Sequence, residues 1–204
     1  MTTRFTPSVV ALGLTAALAL PAVSVAAAPG TGGASPRSVP ASSDATGGVA
    51  FGAPPPSQSR SRPTIAGTKA TLIHGVAYAP EAAPLAVKKA IWAGNKLQTK
   101  PYIYGGGHAG FKLDRGYDCS GTVSFVIHAA GLLPYSYPVD ATGFFSWGGS
   151  GKGQWITTYA NGGHAYVVIA GLRLDTSGSG GNGPRWNTET RDPSSFIARH
   201  PRAY

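Results

Sequence analysis

The chain predicts an α+β domain, with helices packed on one face of a small antiparallel sheet. Three observations carry that prediction. Asp118 to Ala130 has a helical pattern and, with Val123, Phe125, Val126 and Ile127, is too apolar to be bathed in solvent. His164–Ala170 and Leu172–Thr176 are runs of strand formers broken at Gly171, the pattern of a hairpin. Helical patterns precede strand patterns instead of alternating with them, which favours segregated layers over a parallel sheet.

The front of the chain reads as an address. Arg4, an apolar run from Val9 to Leu20 and small residues around Ser24–Ala28 form the pattern of a secretory signal over residues 1–28. The run is short for a membrane span of ~20 residues, so cleavage is expected over retention as an anchor. Residues 29–77 are dense in Gly, Pro, Ser and Ala. Such a stretch cannot repay its ordering entropy and reads as a flexible linker or pro-segment. The remainder, 78–204, is long enough for one core and one domain.

Within that domain, Pro84 to about Leu97 reads as the first helix. Pro84 suits the first turn, Leu85, Ile91, Trp92 and Ala93 supply an apolar stripe, and Gly94 marks a close approach. Tyr102-Ile103-Tyr104 is a short extended run ended by three glycines, suited to a cleft wall or an anion nest. The second helix follows, with Asp118 as its cap and Gly131 as its stop. Its one internal histidine, His128, reads as a satisfied core group. A long Gly/Pro/aromatic connection covers 134–153, and Gln154–Ala160 reads as a strand. If the hairpin turns at Ala170, His164 and Asp175 fall opposite each other. Phe196–Arg199 is the last expected strand.

The chain has a single cysteine, Cys119, so no disulfide can form within it. In an exported protein a lone thiol either works or is buried. Cys119 opens the second helix, where unpaired N–H groups and the helix dipole stabilise a thiolate. The expected roles are Cys119 as nucleophile, His164 as base and later acid, and Asp175 as the group that orients the imidazole. Asn161 and His200 are rivals for that last role. Tyr102, Tyr104 and the Cys119 backbone N–H are candidates for an oxyanion site, and His108 for substrate contact. Trp147, Trp155 and Trp186 suit either a substrate groove or core bulk. The histidines show no close metal-ligand spacing, and no cofactor is expected.

The formal charge of +9 is spread along the chain, with 12 basic and 7 acidic residues from position 81 onward. That balance favours an anionic polymer such as a cell wall as surroundings. No nucleic-acid motif is present, and no nucleic-acid partner is expected.

Tyr102-Ile-Tyr-Gly-Gly106, Asp118-Cys-Ser-Gly121 and Gly163-His164 together resemble the NlpC/P60 cysteine peptidases over about residues 84–178. The resemblance implies a compact papain-like fold, with Cys119 as nucleophile, His164 as base and Tyr102 or Tyr104 near the oxyanion. It implies a peptidoglycan peptide as substrate, cleaved through a thioester. Two features depart from the family. Its third polar residue is usually His, Asn or Gln where this chain offers Asp175. The approach to its histidine is usually Pro-Gly-Asp-Leu-like, where Gly151–Gly163 is built differently. These mark a divergent branch with an altered groove.

The expectation is therefore a secreted or cell-wall-associated cysteine hydrolase, monomeric, with no stable membrane insertion after signal cleavage. Two alternatives stand beside it: an exported amidase or acyltransferase on another amide, and a non-catalytic wall-binding or toxin-like module.

Overall fold

The computed structural model describes residues 62–178 and 182–204. The signal at 1–28 and the linker up to residue 61 lie outside the described residues. The chain is mixed α and β, with two helices and two sheets.

The folded region begins earlier than residue 78. Strands β1 (Thr64–Ile65), β2 (Thr71–Ile73) and β3 (Val76–Pro80) form a three-stranded sheet in the order β1-β3-β2. This corrects the reading of 62–77 as linker. The β2–β3 loop is only His74-Gly75, and both residues have positive φ (47° and 79°). That is the two-residue turn whose twist matches paired strands. The strands are too short to show a period in the sequence. Reciprocal 2.9 Å bonds between the Asn95 amide and the Ala77 backbone fasten this sheet to the first helix. The Trp92 indole adds a bond to the Pro63 carbonyl.

Helix α1 spans Leu85–Asn95 with Pro84 at its N-cap. Its buried face is Val87, Ala90, Ile91, Ala93 and Gly94. Leu85, expected in the apolar stripe, is 59 % exposed because it lies on the opposite side of the first turn. A side chain at Gly94 would strike the Trp186 indole, so the glycine admits the close approach that its position suggests.

Helix α2 spans Cys119–Ala129, and every residue from Ser120 to Ile127 is buried. Gly131 (φ 74°) ends it: Gly131 N–H bonds to the His128 carbonyl and Leu132 N–H to the Ile127 carbonyl. This paired arrangement satisfies the last carbonyls of the helix. His128 is exposed rather than in the core. It lies in the last turn and stacks on Phe111 with ring centres 3.5 Å apart.

The connection after α2 carries a 3-10 helix, Thr142–Phe145, and the short strand β4, Gly149–Ser150. Strands β5 (Ile156–Asn161), β6 (His164–Ile169), β7 (Leu172–Asp175), β8 (Arg185–Asn187) and β9 (Ile197–His200) follow. With β4 they form a six-stranded sheet in the order β4-β9-β5-β6-β7-β8, antiparallel throughout. In β6, Ala165, Val167 and Ile169 are buried to 1 % or less and pack toward α1 and α2. By strand alternation, His164, Tyr166 and Val168 take the other face. The helices thus lie on one face of the larger sheet, as expected. Among the described residues no helix is long and apolar enough to cross a membrane.

Candidate active site

The site forms where α2 begins and β6 begins. Asp118 builds the first half. Its Oδ1 accepts from Gly121 N–H at 2.7 Å, capping α2, and its Oδ2 accepts from Gly105 N–H at 3.1 Å. One carboxylate thus ties the glycine loop to the helix that carries Cys119. The loop packs so closely that a side chain at Gly121 would collide with the Gly106 carbonyl, and one at Gly107 with the Tyr117 ring. The loop is no open anion nest: Gly105 N–H serves Asp118, and Gly107 N–H serves Asp114 at 3.0 Å.

The second half is the hairpin. Asn161 Oδ1 accepts from Gly163 N–H at 3.0 Å and His164 N–H at 2.9 Å, closing the turn into β6. Asn161 is therefore a turn residue and does not orient the His164 ring. His200 lies on β9, with Nδ1 2.9 Å from the Pro201 carbonyl. Asp175 is the residue that meets the imidazole, at 2.8 Å from His164 Nε2.

The register differs from that expected. Ile169 pairs with Leu172 and Val167 with Leu174, around a turn at Ala170-Gly171 with φ of 48° and 93°. His164 and Asp175 are thus offset by two positions instead of directly opposed. A shift of two keeps both side chains on one face, so the contact survives as a diagonal.

Cys119 is half-buried and free. Its thiol lies close enough to the His164 side chain and the Ala165 backbone N–H for both to favour the thiolate. Burial pushes the thiol pKa up, but these neighbours outweigh it and hold it below the ordinary value. Burial likewise opposes charge on His164, yet bonds to Asp175 and Cys119 raise its pKa to about 9. The two shifts run in the directions that favour a thiolate–imidazolium pair. Asp118, a few atoms from the sulfur, works weakly against the thiolate.

Asp175 has no side-chain exposure and remains ionised. Burial raises its pKa, but His164, the Ser177 N–H and Arg191 bring it below the usual carboxylate range. Arg191 Nη1 is 3.1 Å from Asp175 Oδ2 and donates to Ser177 Oγ at 2.7 Å. Ser177 Oγ in turn lies 3.2 Å from Asp175 Oδ1 and 3.4 Å from His164 Nε2. The Arg191 guanidinium packs over the Tyr166 and Phe196 rings, and Phe196 meets the His164 ring edge-on. Sequence reasoning missed Ser177, Arg191 and the Ala165 N–H. Ser177 had a signal, since a serine two positions after an aspartate often closes a turn onto its carboxylate. Arg191 had none.

The two tyrosines separate clearly. Tyr102 pairs with Tyr117 in an isolated bridge and lies within electrostatic reach of Cys119. Burial, then the neighbouring Cys119 charge, raises its phenol pKa. Tyr104 is 90 % exposed and points to solvent. His108 Nε2 lies 3.0 Å from Asp118 Oδ1 and 3.2 Å from Ser120 Oγ. The bond to Asp118 raises its pKa against the effect of burial. His108 also lines a cavity of about 470 Å³ with Tyr135, Tyr137 and Asp140.

The three tryptophans do not form a groove. Trp147 is 3 % exposed and packs edge-on against Phe144. Trp186 is 5 % exposed, lies over Gly94 and donates to Asn95 Oδ1 at 3.0 Å. Both are core bulk, which a small domain needs to bury area. Trp155 is half-buried beside Lys69, Gln154 and Gly171. That is the turn end of β6, five residues from His164 and so roughly 17 Å away along the strand.

Among the described residues no three His, Cys, Asp or Glu side chains are grouped to hold a metal ion. No protein-family model matches the chain. No curated protein matches it.

Proposed function

We propose that the chain is an exported cysteine hydrolase of the NlpC/P60 kind, papain-like in its catalytic geometry, that cleaves amide bonds in peptidoglycan peptides. The observation that carries this reading is the thiol at the first residue of α2, within electrostatic reach of a His164 imidazole that buried Asp175 holds at 2.8 Å. A structural cysteine needs no ionised histidine held by a buried carboxylate. The Tyr-x-Tyr-Gly-Gly and Asp-Cys-Ser-Gly motifs and the basic charge support the choice of substrate class.

In this reading the Cys119 sulfur attacks the carbonyl carbon of the scissile amide. The oxyanion that develops takes hydrogen bonds from the Cys119 backbone N–H and from Tyr102. The C–N bond breaks as His164 gives its proton to the leaving amine, and a thioester remains on Cys119. Water then attacks the thioester while His164 takes up a proton. A carboxylic acid is released, and the thiolate–imidazolium pair is restored. Asp175 stays ionised and holds the ring in place throughout.

The test is digestion of purified peptidoglycan by the full chain, with mass spectrometry of the fragments and Cys119→Ala alongside. New peptide termini in the wild-type digest, reduced ~10⁴-fold or more by the substitution, establish the reading and name the bond. Release of a sugar–peptide cleavage product instead identifies an amidase. Products that persist in Cys119→Ala, or no products from an enzyme whose thiol alkylates readily, overturn the peptidoglycan assignment.

A further inference from the structure

A second cavity, of about 490 Å³, opens on the face of the larger sheet turned away from the helices. Its floor is the stacked pair Tyr159 and Tyr166, with ring centres 4.8 Å apart, together with Val168. Lys152, Arg173 and Arg191 contribute cations to its wall. Cys119, His164 and Tyr102 are not among the lining residues, so this space does not open onto the sulfur.

Arg173 is the unusual member. Its side chain is 7 % exposed, yet it donates no hydrogen bond among the described residues. Its ionic contact is a 3.7 Å approach of Nη1 to Asp175 Oδ2, and its buried Nε has no partner. A guanidinium has five donors in a fixed fork and is always charged. Asp175 serves it only through that longer ionic contact. Oδ1 is committed to His164 and Ser177, and Oδ2 already accepts from Arg191. Two guanidiniums and a protonated imidazole thus converge on one carboxylate. Glu189 and Asp192 also line the cavity, but both are exposed, and Asp192 is occupied with Ser194. Solvated charges of that kind offset a buried cation weakly.

We propose that this cavity is a binding site for a small carboxylate with a flat or apolar body. The carboxylate takes the donors of Arg173 that Asp175 leaves without a hydrogen bond, with Arg191 and Lys152 beside it. The body lies against Tyr159, Tyr166 and Val168, whose rings and methyls offer no competing charge. The site stands independently of what Cys119 cleaves, since binding is read without turnover.

The experiment titrates benzoate into the full chain in 0.15 M NaCl, followed by calorimetry and by amide chemical shifts at Gly171 and Thr190. Benzamide, the neutral analogue, and inorganic phosphate are run in parallel. Saturable benzoate binding, at least ten-fold tighter than benzamide and weakened at least ten-fold by Arg173→Met, is the expected result. Val168→Trp, directly across from Arg173, fills the cavity while keeping every charge of the ionic cluster, and lowers affinity by at least as much, which keeps the test decisive if Arg173→Met fails to fold. Phosphate binding more tightly than benzoate rules out the apolar contribution and overturns the assignment. So does the absence of saturable benzoate binding, or affinity unchanged in both variants.

Discussion

His164 and Asp175 meet diagonally across β6 and β7, two positions out of direct register, and the carboxylate still reaches Nε2 at 2.8 Å. The diagonal leaves room for Ser177 and Arg191 to hold the carboxylate from behind. The histidine is therefore held in charge and orientation by a buried group whose own position is fixed from three sides.

That arrangement fixes the pH dependence of the thiol. Cys119 lies below its ordinary pKa and His164 at about 9. Alkylation by iodoacetamide will reach half its maximum below the pH of a free cysteine. The proposed hydrolysis should fall on the acid side as the thiolate is protonated and on the alkaline side near pH 9, as His164 loses the proton it would donate. A thiol that titrates at or above pH 8.5 contradicts the ion pair.

Asp175→Asn tests the carboxylate. The neutral amide no longer favours imidazolium, so the alkaline limb moves below pH 9 and kcat drops ~10²–10⁴-fold. Arg191 and Arg173 lose a buried partner, a change that costs about 3–5 kcal/mol where the pair is fully enclosed and less here, since the Arg191 side chain is 33 % exposed. The stability signature has a defined sign. His164 is raised on folding, so its contribution is complete below pH 6.5 and is lost as pH rises through about 9. The lowered Cys119 thiol works in the opposite sense, so what Asp175→Asn should remove is the His164 part of the pH slope, read as the difference between the two melting-temperature profiles over that window. Identical pH slopes in wild type and variant would sink the linkage.

Asp118 has two roles of opposite sign. Its charge disfavours the thiolate, while its oxygens cap α2 and anchor Gly105. Asp118→Asn keeps an acceptor and removes the charge, so the thiol should titrate still lower, with modest loss of stability. Asp118→Ala also removes the cap and should cost about 0.5–2 kcal/mol in denaturant unfolding, before counting the loosened loop. If both variants lose the same stability, the cap is not what Asp118 supplies.

The tyrosines give a comparison within one motif. Tyr102→Phe should lower kcat by roughly 10–10³-fold with little change in KM, as expected for a donor used mainly in the transition state. Tyr104→Phe, at a side chain turned to solvent, should leave both within about two-fold. Steady-state kinetics on one defined peptide decides it.

Much of the site was legible because local chemistry and fold agree there. Asp118 reads as a cap and is one; the apolar run after Cys119 reads as a buried helix and is buried. The hairpin announced itself through β-branched residues around Ala170-Gly171, and an error of two positions cost nothing because side chains alternate with period two. Other features needed tertiary information. Strands β1 to β3 span two to five residues and leave no periodic trace. Trp147 and Trp186 satisfy the composition of a groove and of a core equally well, and only packing against Phe144 and Gly94 separates the two. His128 sits among apolar neighbours in sequence but one step around the helix from them in space. Arg191 reaches Asp175 from a loop with no periodicity.

Strand β9 carries a different consequence. It lies between β4 and β5, and Thr158 Oγ1 bonds to the Arg199 carbonyl across 41 residues. Strands β5 to β7 can zip as successive hairpins as soon as they are made. The β5 edge, however, stays open until residues 197–200 arrive, and β4 has no neighbour before then. Contacts of that span close slowly, because the loop must be ordered before anything is gained. A hairpin bearing His164 and Asp175 can therefore form before the sheet that steadies it, which is sealed only once residues 197–200 have emerged. Until then the β5 edge of a nascent chain stays open to pairing with other strands.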